Sequence, residues 1–325
     1  MNLEISLVIP VFNEEKNIEV LYTEICRTML SMNKNNNFEI IFIDDGSQDN
    51  SFEVISELNR KDFRVKGLSL SRNFGHQSAL SAGLEHTSGD IIIMLDGDLQ
   101  HPPAVIAELY NKYLEGYDIV NTKRINKYNG IFKSFSSKYF YKILNSIAEI
   151  KIEENSSDFR LINKKVLNAF SSIKEKNRFI RGLIGYLGFK QTTIEYQASN
   201  RYAGESKYTL KKMFNLAING ITSFSAKPLR ISLYAGLFLF ILGTIYLIFA
   251  LISHAKGQTM PGWTSLVLII IFMGGLQLLG LGIIGEYIAQ IFEEVKARPV
   301  YFLKNKTPAL NLIYEELPNL QRKAL

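Results

Sequence analysis

The chain has 325 residues, enough to bury a sizeable core and, on length alone, to form two domains or one with an appendage. Lys and Arg outnumber Asp and Glu by 37 to 31, a net charge of +6 that favours anionic partners: nucleic acid, phosphorylated substrates or an anionic lipid surface. The single cysteine, Cys26, excludes an internal disulfide and suits a reducing compartment.

The chain opens on "MNLEISLVIPVFNEE". It has no basic n-region, and its apolar stretch is short and alternates into a strand, so no signal peptide is expected and this part is expected to stay in the cytoplasm. Strand-like runs then recur roughly every 25 to 35 residues, separated by helix-like stretches. The strands are 4–12, 38–45, 64–71, 90–96 and 118–124, and the helices 14–32, 49–61, 77–87 and 103–116. Such alternation predicts an α/β fold with a mostly parallel sheet and helices on both faces. Ligands of such sheets bind at the carboxyl ends of the strands.

Each of these ends is polar. The first offers Pro10, Asn13 and Glu14, the second Asp44, Asp45, Gly46 and Ser47, and the third Ser71, Arg72, Asn73 and Gly75. The fourth offers Asp96, Gly97 and Asp98, and the fifth Lys123 and Arg124. One such end is an ordinary helix cap, a part that Ser47 or Asp49 could play. Five in register make one polar pocket. Neither a Walker motif nor G-x-G-x-x-G is present, which excludes a P-loop enzyme and a dinucleotide binder.

The fourth strand runs into "IIIMLDGDLQHPP", residues 91–103. Its two carboxylates sit about 6–7 Å apart along an extended chain, a like-charge pair that costs stability unless something positive lies between them. Oxygen donors without Cys or His suit Mg²⁺ or Mn²⁺, which use one or two carboxylates plus substrate phosphates. The other reading is a helix-capping turn before Pro102 and Pro103. His76 and His101 lie near this site in sequence and are read as hydrogen-bonding residues, not ligands.

Beyond the fifth strand, six Lys/Arg and no acid occur from Lys123 to Lys142. Phe132, Phe135, Tyr139, Ile143 and Ile147 lie there at helical spacing. An apolar stripe flanked by cations predicts an interfacial amphipathic helix over 123–148. Residues 208–230 repeat the pattern with Phe214, Ala217, Ile218, Ile221 and Phe224. Either helix could instead pack on the catalytic domain or on another subunit. Two uncharged runs follow, 231–253 and 262–285. The first would extend about 34 Å, enough to cross a hydrocarbon core of about 30 Å. With a link as short as "HAKGQTMP" the pair forms a hairpin, the alternative being two buried core helices. Lys227 and Arg230 before it and Lys296, Arg298, Lys304 and Lys306 after it place both termini in the cytoplasm by the positive-inside rule. With two spans present, membrane lipid is a simpler partner than nucleic acid, and no nucleic acid is expected.

Six stretches taken in order, "SLVIPVFNEEKNI", "IDDGSQDNS", "SRNFGHQSALSAGL", "DGDLQHPP", "SDFRL" and "RYAGESKY", resemble the family 2 glycosyltransferases of GT-A fold. Within that family they resemble the polyprenyl-phosphate branch, the dolichol-phosphate mannosyltransferases and GtrB-like bactoprenol glucosyltransferases, over most of residues 3–210. The resemblance implies a GT-A catalytic domain over 1–210, an interface helix or linker at 211–228, two transmembrane helices within 229–289 and a cytoplasmic tail at 290–325. It implies metal-dependent, inverting transfer of a hexosyl group from a nucleotide-sugar to undecaprenyl or another polyprenyl phosphate at the cytoplasmic membrane face. That product would supply lipid-linked sugar for modifying cell-envelope glycans. UDP-glucose is the first choice of donor, with GDP-mannose, UDP-N-acetylhexosamine and aminoarabinose donors as alternatives. The resemblance also implies a homo-oligomer, with a tetramer as one option.

Carried over by motif, Pro10, Asn13, Glu14, Asp44, Asp45, Arg72 and Asp96 would bind the nucleotide-sugar, and Arg201 and Lys207 of R-x-x-G-x-S-K its diphosphate. Asp96 and Asp98 would hold Mg²⁺ or Mn²⁺. Asp158 stands where the family places its catalytic aspartate, with Asp98 beside it in the chemistry. Arg124 and Arg160 would take the acceptor phosphate, unless Asp158 and Arg160 simply form a local ion pair. A phosphate monoester has its second pKa near 6, so the acceptor is largely dianionic at pH 7 and Asp158 need not remove a proton. A processive polysaccharide synthase would carry Q-x-x-R-W and more spans, which this chain lacks. A silent membrane scaffold would not be expected to keep both aspartates of D-x-D, Asp158 and R-x-x-G-x-S-K.

Overall fold

The structure is a computed structural model that describes residues 3–34, 36–125, 156–176, 178–197, 225–256 and 262–310. The amphipathic stretches at 126–148 and 211–224 and the R-x-x-G-x-S-K motif lie outside the described residues. The chain divides into two compact units: Met1–Tyr141 with Ile150–Tyr208 and Pro299–Leu325, and Lys142–Glu149 with Thr209–Arg298.

The first unit is an eight-stranded sheet with helices on its faces. Its strands are β1 (Ile5–Val11), β2 (Phe38–Asp44), β3 (Val65–Leu70), β4 (Ile91–Met94), β5 (Ile119–Ile125), β6 (Ser156–Asn163), β7 (Gln191–Gln197) and β8 (Leu303–Lys306). Their spatial order is β7-β5-β6-β4-β1-β2-β3-β8. Strands β3, β2, β1 and β4 run parallel, β6 lies antiparallel between β4 and β5, and β8 lies antiparallel on the free side of β3. β1, β2 and β4 are buried along their whole length, which is why they read as unbroken apolar runs rather than alternating ones.

Six helices belong to this unit among the described residues: α1 (Glu15–Ser31), α2 (Ser51–Lys61), α3 (His76–Leu84), α4 (Val105–Leu114), α5 (Lys164–Ser171) and α6 (Ile180–Tyr186). α1 buries Ile18, Leu21, Ile25 and Met29, one stripe at helical spacing, against the sheet core of Ile5, Leu7, Phe38 and Phe42. Each fully buried side chain of this size contributes about 1.5–3 kcal/mol.

The reading of five strands falls short at three places. β6 was taken only as a motif; its register sets Met94 opposite Arg160. Continued two residues, that register brings Asp158 beside Asp96. β7 is a further parallel neighbour of β5. β8 comes from the stretch expected to be a plain tail. Thr307 exchanges two hydrogen bonds with Gly67, through its backbone N–H and its Oγ1, and Phe302 O accepts from Ser71 N. Gly67 has no side chain because a Cβ there would lie 2.6 Å from Ile55 Cγ2 and 2.9 Å from Thr307 Cγ2.

The second unit holds α7 (Lys227–Ala255) and α8 (Trp263–Val295), which pack as a hairpin. Both carry stretches apolar enough to cross a membrane, Lys227–Tyr246 and Phe272–Val295, and neither is buried by other described residues. Large apolar side chains such as Leu237, Phe240, Ile245, Phe249, Leu278 and Phe292 are exposed. A soluble core helix would bury them; lipid is the solvent that suits them. α8 runs past the predicted end at 285, reaching about 50 Å, longer than a hydrocarbon core.

Candidate active site

The carboxyl ends of β1 and β2 carry two loops stitched to each other. Asn13 adopts a left-handed backbone (φ 56°), donates its N–H to Ser47 Oγ at 2.9 Å and accepts Gln48 N–H on Oδ1 at 2.8 Å. Glu14 donates its N–H to Ser51 Oγ at 3.0 Å, and its carboxylate accepts from the Asn17 amide. Pro10 lies in buried β1 opposite Ile43.

Asp44 and Asp45 are buried, and both carboxylates serve the loops around them. Asp44 accepts from Ser47 N and Ser69 Oγ, each at 2.9 Å. Asp45 accepts from Phe74 N at 2.8 Å and Gly75 N at 2.9 Å, which fixes the start of α3. Burial pushes the Asp45 carboxyl up; those two N–H groups resist, and neighbouring Asp44 adds to the rise. Arg72 is exposed, with its guanidinium 4.2 Å from the Phe74 ring centre.

The start of α3 delivers His76. Its Nε2 lies 3.5 Å from Asp96 Oδ1 and 3.4 Å from Asp158 Oδ2, so one imidazole bridges the ends of β4 and β6. Burial opposes its charge, but Asp96 and then Asp158 outweigh that and carry its pKa up to about 9. Gly97, between the two aspartates of D-G-D, admits no side chain because a Cβ would meet Val11 Cγ1 at 2.6 Å. Asp98 accepts Gln100 N–H at 3.1 Å.

His101 acts as a brace. Its Nδ1 accepts Asp96 N–H at 3.0 Å, which in a neutral ring puts the proton on Nε2, 2.8 Å from Ser157 Oγ. The ring stacks on Phe159 at 5.2 Å.

Asp158 is only 14% exposed and meets three cations. Arg181 of α6 donates Nε to Oδ1 at 3.2 Å and holds Nη2 3.1 Å from Oδ2, His76 lies opposite, and Arg160 Nη2 is 3.8 Å away. Burial alone would raise this carboxyl's pKa, but Arg181, then His76 and Arg160, hold it well below the usual carboxylate range. Arg160 is itself buried, with Nη2 donating to Ser157 O at 3.0 Å, so it sits in an ion pair behind the site. Arg124 donates Nη1 to Gln100 Oε1 at 2.8 Å, while its buried Nε finds no hydrogen-bond partner among the described residues.

The structure thus brings Asp96, Asp98, Asp158 and Arg124 to one end of the sheet and sets Arg160 into its wall. Arg201 and Lys207 lie outside the described residues. Sequence reasoning passed over His76 as an ion-pair partner and missed Arg181 altogether. No three His, Cys, Asp or Glu gather as a metal site among the described residues. Two carboxylates are nevertheless a fitting donor set for an ion that arrives with phosphate oxygens, and Asp96, about a third exposed, has His76 as its nearest cation among the described residues.

In metal-free protein His76 should titrate against these carboxylates. With its folded pKa about 9 and a reference of 6.5, its stabilisation is full below 6.5 and is lost as pH rises through 9. Thermal unfolding midpoints should therefore fall across that window in the wild type and fall less in His76→Gln; identical slopes would refute the bridge.

Residues 6–170 match Glycosyl transferase family 2, and residues 227–291 match the GtrB C-terminal hairpin. An uncharacterized glycosyltransferase of Bacillus subtilis, YkcC, is 42% identical over 307 residues, covering 93% of this chain and 94% of that protein. The bactoprenol glucosyl transferase of Shigella phage SfV is 42% identical over 306 residues, covering 94% and 99%. A solved structure, the mannosyltransferase PcManGT from Pyrobaculum calidifontis in complex with GDP-Man and Mn²⁺, is 13% identical with a TM-score of 0.47, covering 91% and 88%. With a family match spanning half its length and relatives at this identity over nearly all of it, the chain belongs to glycosyl transferase family 2 and carries a GtrB C-terminal hairpin.

Proposed function

We propose that this chain transfers a hexosyl group, with inversion, from a UDP-sugar, UDP-glucose first, to a polyprenyl phosphate at the cytoplasmic face of a membrane. The observation that carries the reading is one end of one sheet: the carboxylates Asp96 and Asp98 beside a cation-clamped Asp158, in a chain whose second unit is an exposed apolar hairpin. The bactoprenol glucosyl transferase relatives support both lipid and sugar.

Asp96 and Asp98 would hold Mg²⁺ or Mn²⁺, which neutralises charge developing on the leaving nucleoside diphosphate. Asn13 and Glu14 border the nucleotide side of the pocket, while Asp44 and Asp45 act on it indirectly by fixing its loops. The acceptor phosphate, dianionic at neutral pH, attacks the anomeric carbon without needing a base. Asp158, kept ionised by Arg181 and His76, orients and balances charge rather than collecting a proton. Arg124, with its buried Nε short of a partner, is the better-placed of the two predicted arginines for an anion; Arg160 is already enclosed. The cations flanking the hairpin support a cytoplasmic side for both termini and the catalytic unit.

The test is transfer itself. Washed membranes containing the chain are given undecaprenyl phosphate and labelled UDP-, GDP- or dTDP-sugars, and lipid-linked label is counted. UDP-glucose should give the most product. No product from any donor would overturn the reading, and product from another donor alone would overturn the choice of sugar.

A further inference from the structure

Arg181 lies in none of the six stretches that carry the resemblance, yet it is the cation most fully engaged with Asp158. The contact is two-pronged, Nε on Oδ1 at 3.2 Å and Nη2 3.1 Å from Oδ2. A guanidinium fork meeting both oxygens fixes the plane of a carboxylate, which a point charge does not do.

The helix that carries Arg181 is tied in place. Ile180, the first residue of α6, donates its N–H to Gln77 Oε1 at 3.0 Å. Gln77 is the second residue of α3, next to His76, whose Nε2 stands 3.4 Å from Asp158 Oδ2. One turn of α3 therefore supplies one cation to Asp158 and hooks the helix that supplies the other. Arg160 cannot take over this part: its side chain is 3% exposed and reaches Oδ1 only at 3.8 Å, whereas Arg181 is 26% exposed at the rim of the pocket.

We propose that Arg181 is a positioning residue for the transfer, acting through Asp158: it locks the carboxylate in one orientation and cancels its charge where the dianionic acceptor must approach. The inference rests on the glycosyl-transfer reading above and deepens it. An aspartate alone beside a phosphate dianion would repel it, and the repulsion grows as water is excluded. Paired with Arg181, the same carboxylate meets the acceptor as a neutral unit of fixed geometry. A misplacement of the order of 1 Å at such a group costs about 100-fold in rate.

The full-length protein in lipid nanodiscs decides this, with steady-state transfer to undecaprenyl phosphate as the readout. Arg181→Gln should lower kcat about 100-fold and leave KM for the donor unchanged. Arg181→Lys, with charge but no fork, should recover part of the loss. The double variant Asp158→Asn/Arg181→Gln should be no slower than Asp158→Asn alone, because the arginine has nothing left to hold. Losses that multiply in the double variant would overturn the proposal, since Arg181 would then act independently of Asp158. So would Arg181→Gln at wild-type rate, or a loss confined to protein with a lowered unfolding midpoint that Arg181→Lys does not relieve. The wild type alongside separates the two failures. An active wild type with an unaffected Arg181→Gln overturns this inference alone, whereas an inactive wild type overturns the reaction and the inference with it.

Discussion

Replacing Asp96 or Asp98 by alanine should lower sugar transfer by at least about 10³-fold, equivalent to about 4 kcal/mol of transition-state stabilisation, while the catalytic unit stays folded. The activity loss follows from what the pair would hold. Removing either carboxylate takes away half of the donor set the chain offers to a divalent ion. The fold survives because neither side chain is part of the core. Asp96 is about a third exposed, and its hydrogen bond to His101 Nδ1 is made by its backbone N–H, which alanine keeps. Deleting one of two neighbouring like charges also removes a repulsion that the ion-free protein bears. Two measurements separate the parts: labelled transfer, and Mn²⁺-dependent binding of UDP by calorimetry. Wild-type protein should bind UDP more tightly with the ion, and the variants should lose that increment. Turnover within tenfold of the wild type in both variants would sink the metal assignment.

A chain ending at Arg298 should fail to keep its catalytic unit folded, although the cut lies far from the site in sequence. It removes β8 and bares the outer edge of β3. Gly67 loses both bonds to Thr307, Ser71 loses Phe302 O, and Glu85 loses the Tyr301 hydroxyl at 2.6 Å. At about 1 kcal/mol each these four losses, with about 2 kcal/mol for buried Leu310, come to about 6 kcal/mol, enough to exhaust the lower end of domain stability, about 5 kcal/mol. An unpaired edge next to a buried strand also invites association with other chains. The Phe302 ring, 6.2 Å from that of Phe74, goes too, loosening the loop whose N–H groups bind Asp45 and aim His76. Rapid proteolysis or aggregation of the truncated protein in detergent is the expected result. An unchanged unfolding midpoint would count against the role given to β8.

What the sequence disclosed depended on whether a residue's role was local. β1 to β5 and α1 to α4 were legible because βα alternation and apolar runs are written into consecutive residues. β8 was not: in "LKNK" one residue of four is apolar, and its pairing is made by backbone, which leaves no pattern. β7, "QTTIEYQ", buries only Ile194 and Tyr196, a faint alternation. The D-x-D pair stood out since both members lie on one short loop. Arg181 carried no signal, because its meaning arises only when β6 and α6 meet across 23 positions. Asp44 and Asp45 were assigned to the nucleotide by resemblance; that their oxygens also accept from Ser47, Ser69, Phe74 and Gly75 is a long-range arrangement that no local pattern announces.

The partner of Gly67 in the sheet lies 240 positions further on, beyond both apolar helices. During synthesis, which proceeds from the N-terminus at about 5–20 residues per second, β3 must wait roughly ten seconds or more for the strand that completes it. By then α7 and α8 have already emerged and can enter the bilayer. The outer edge of β3 therefore closes only after both apolar helices of the second unit have been made.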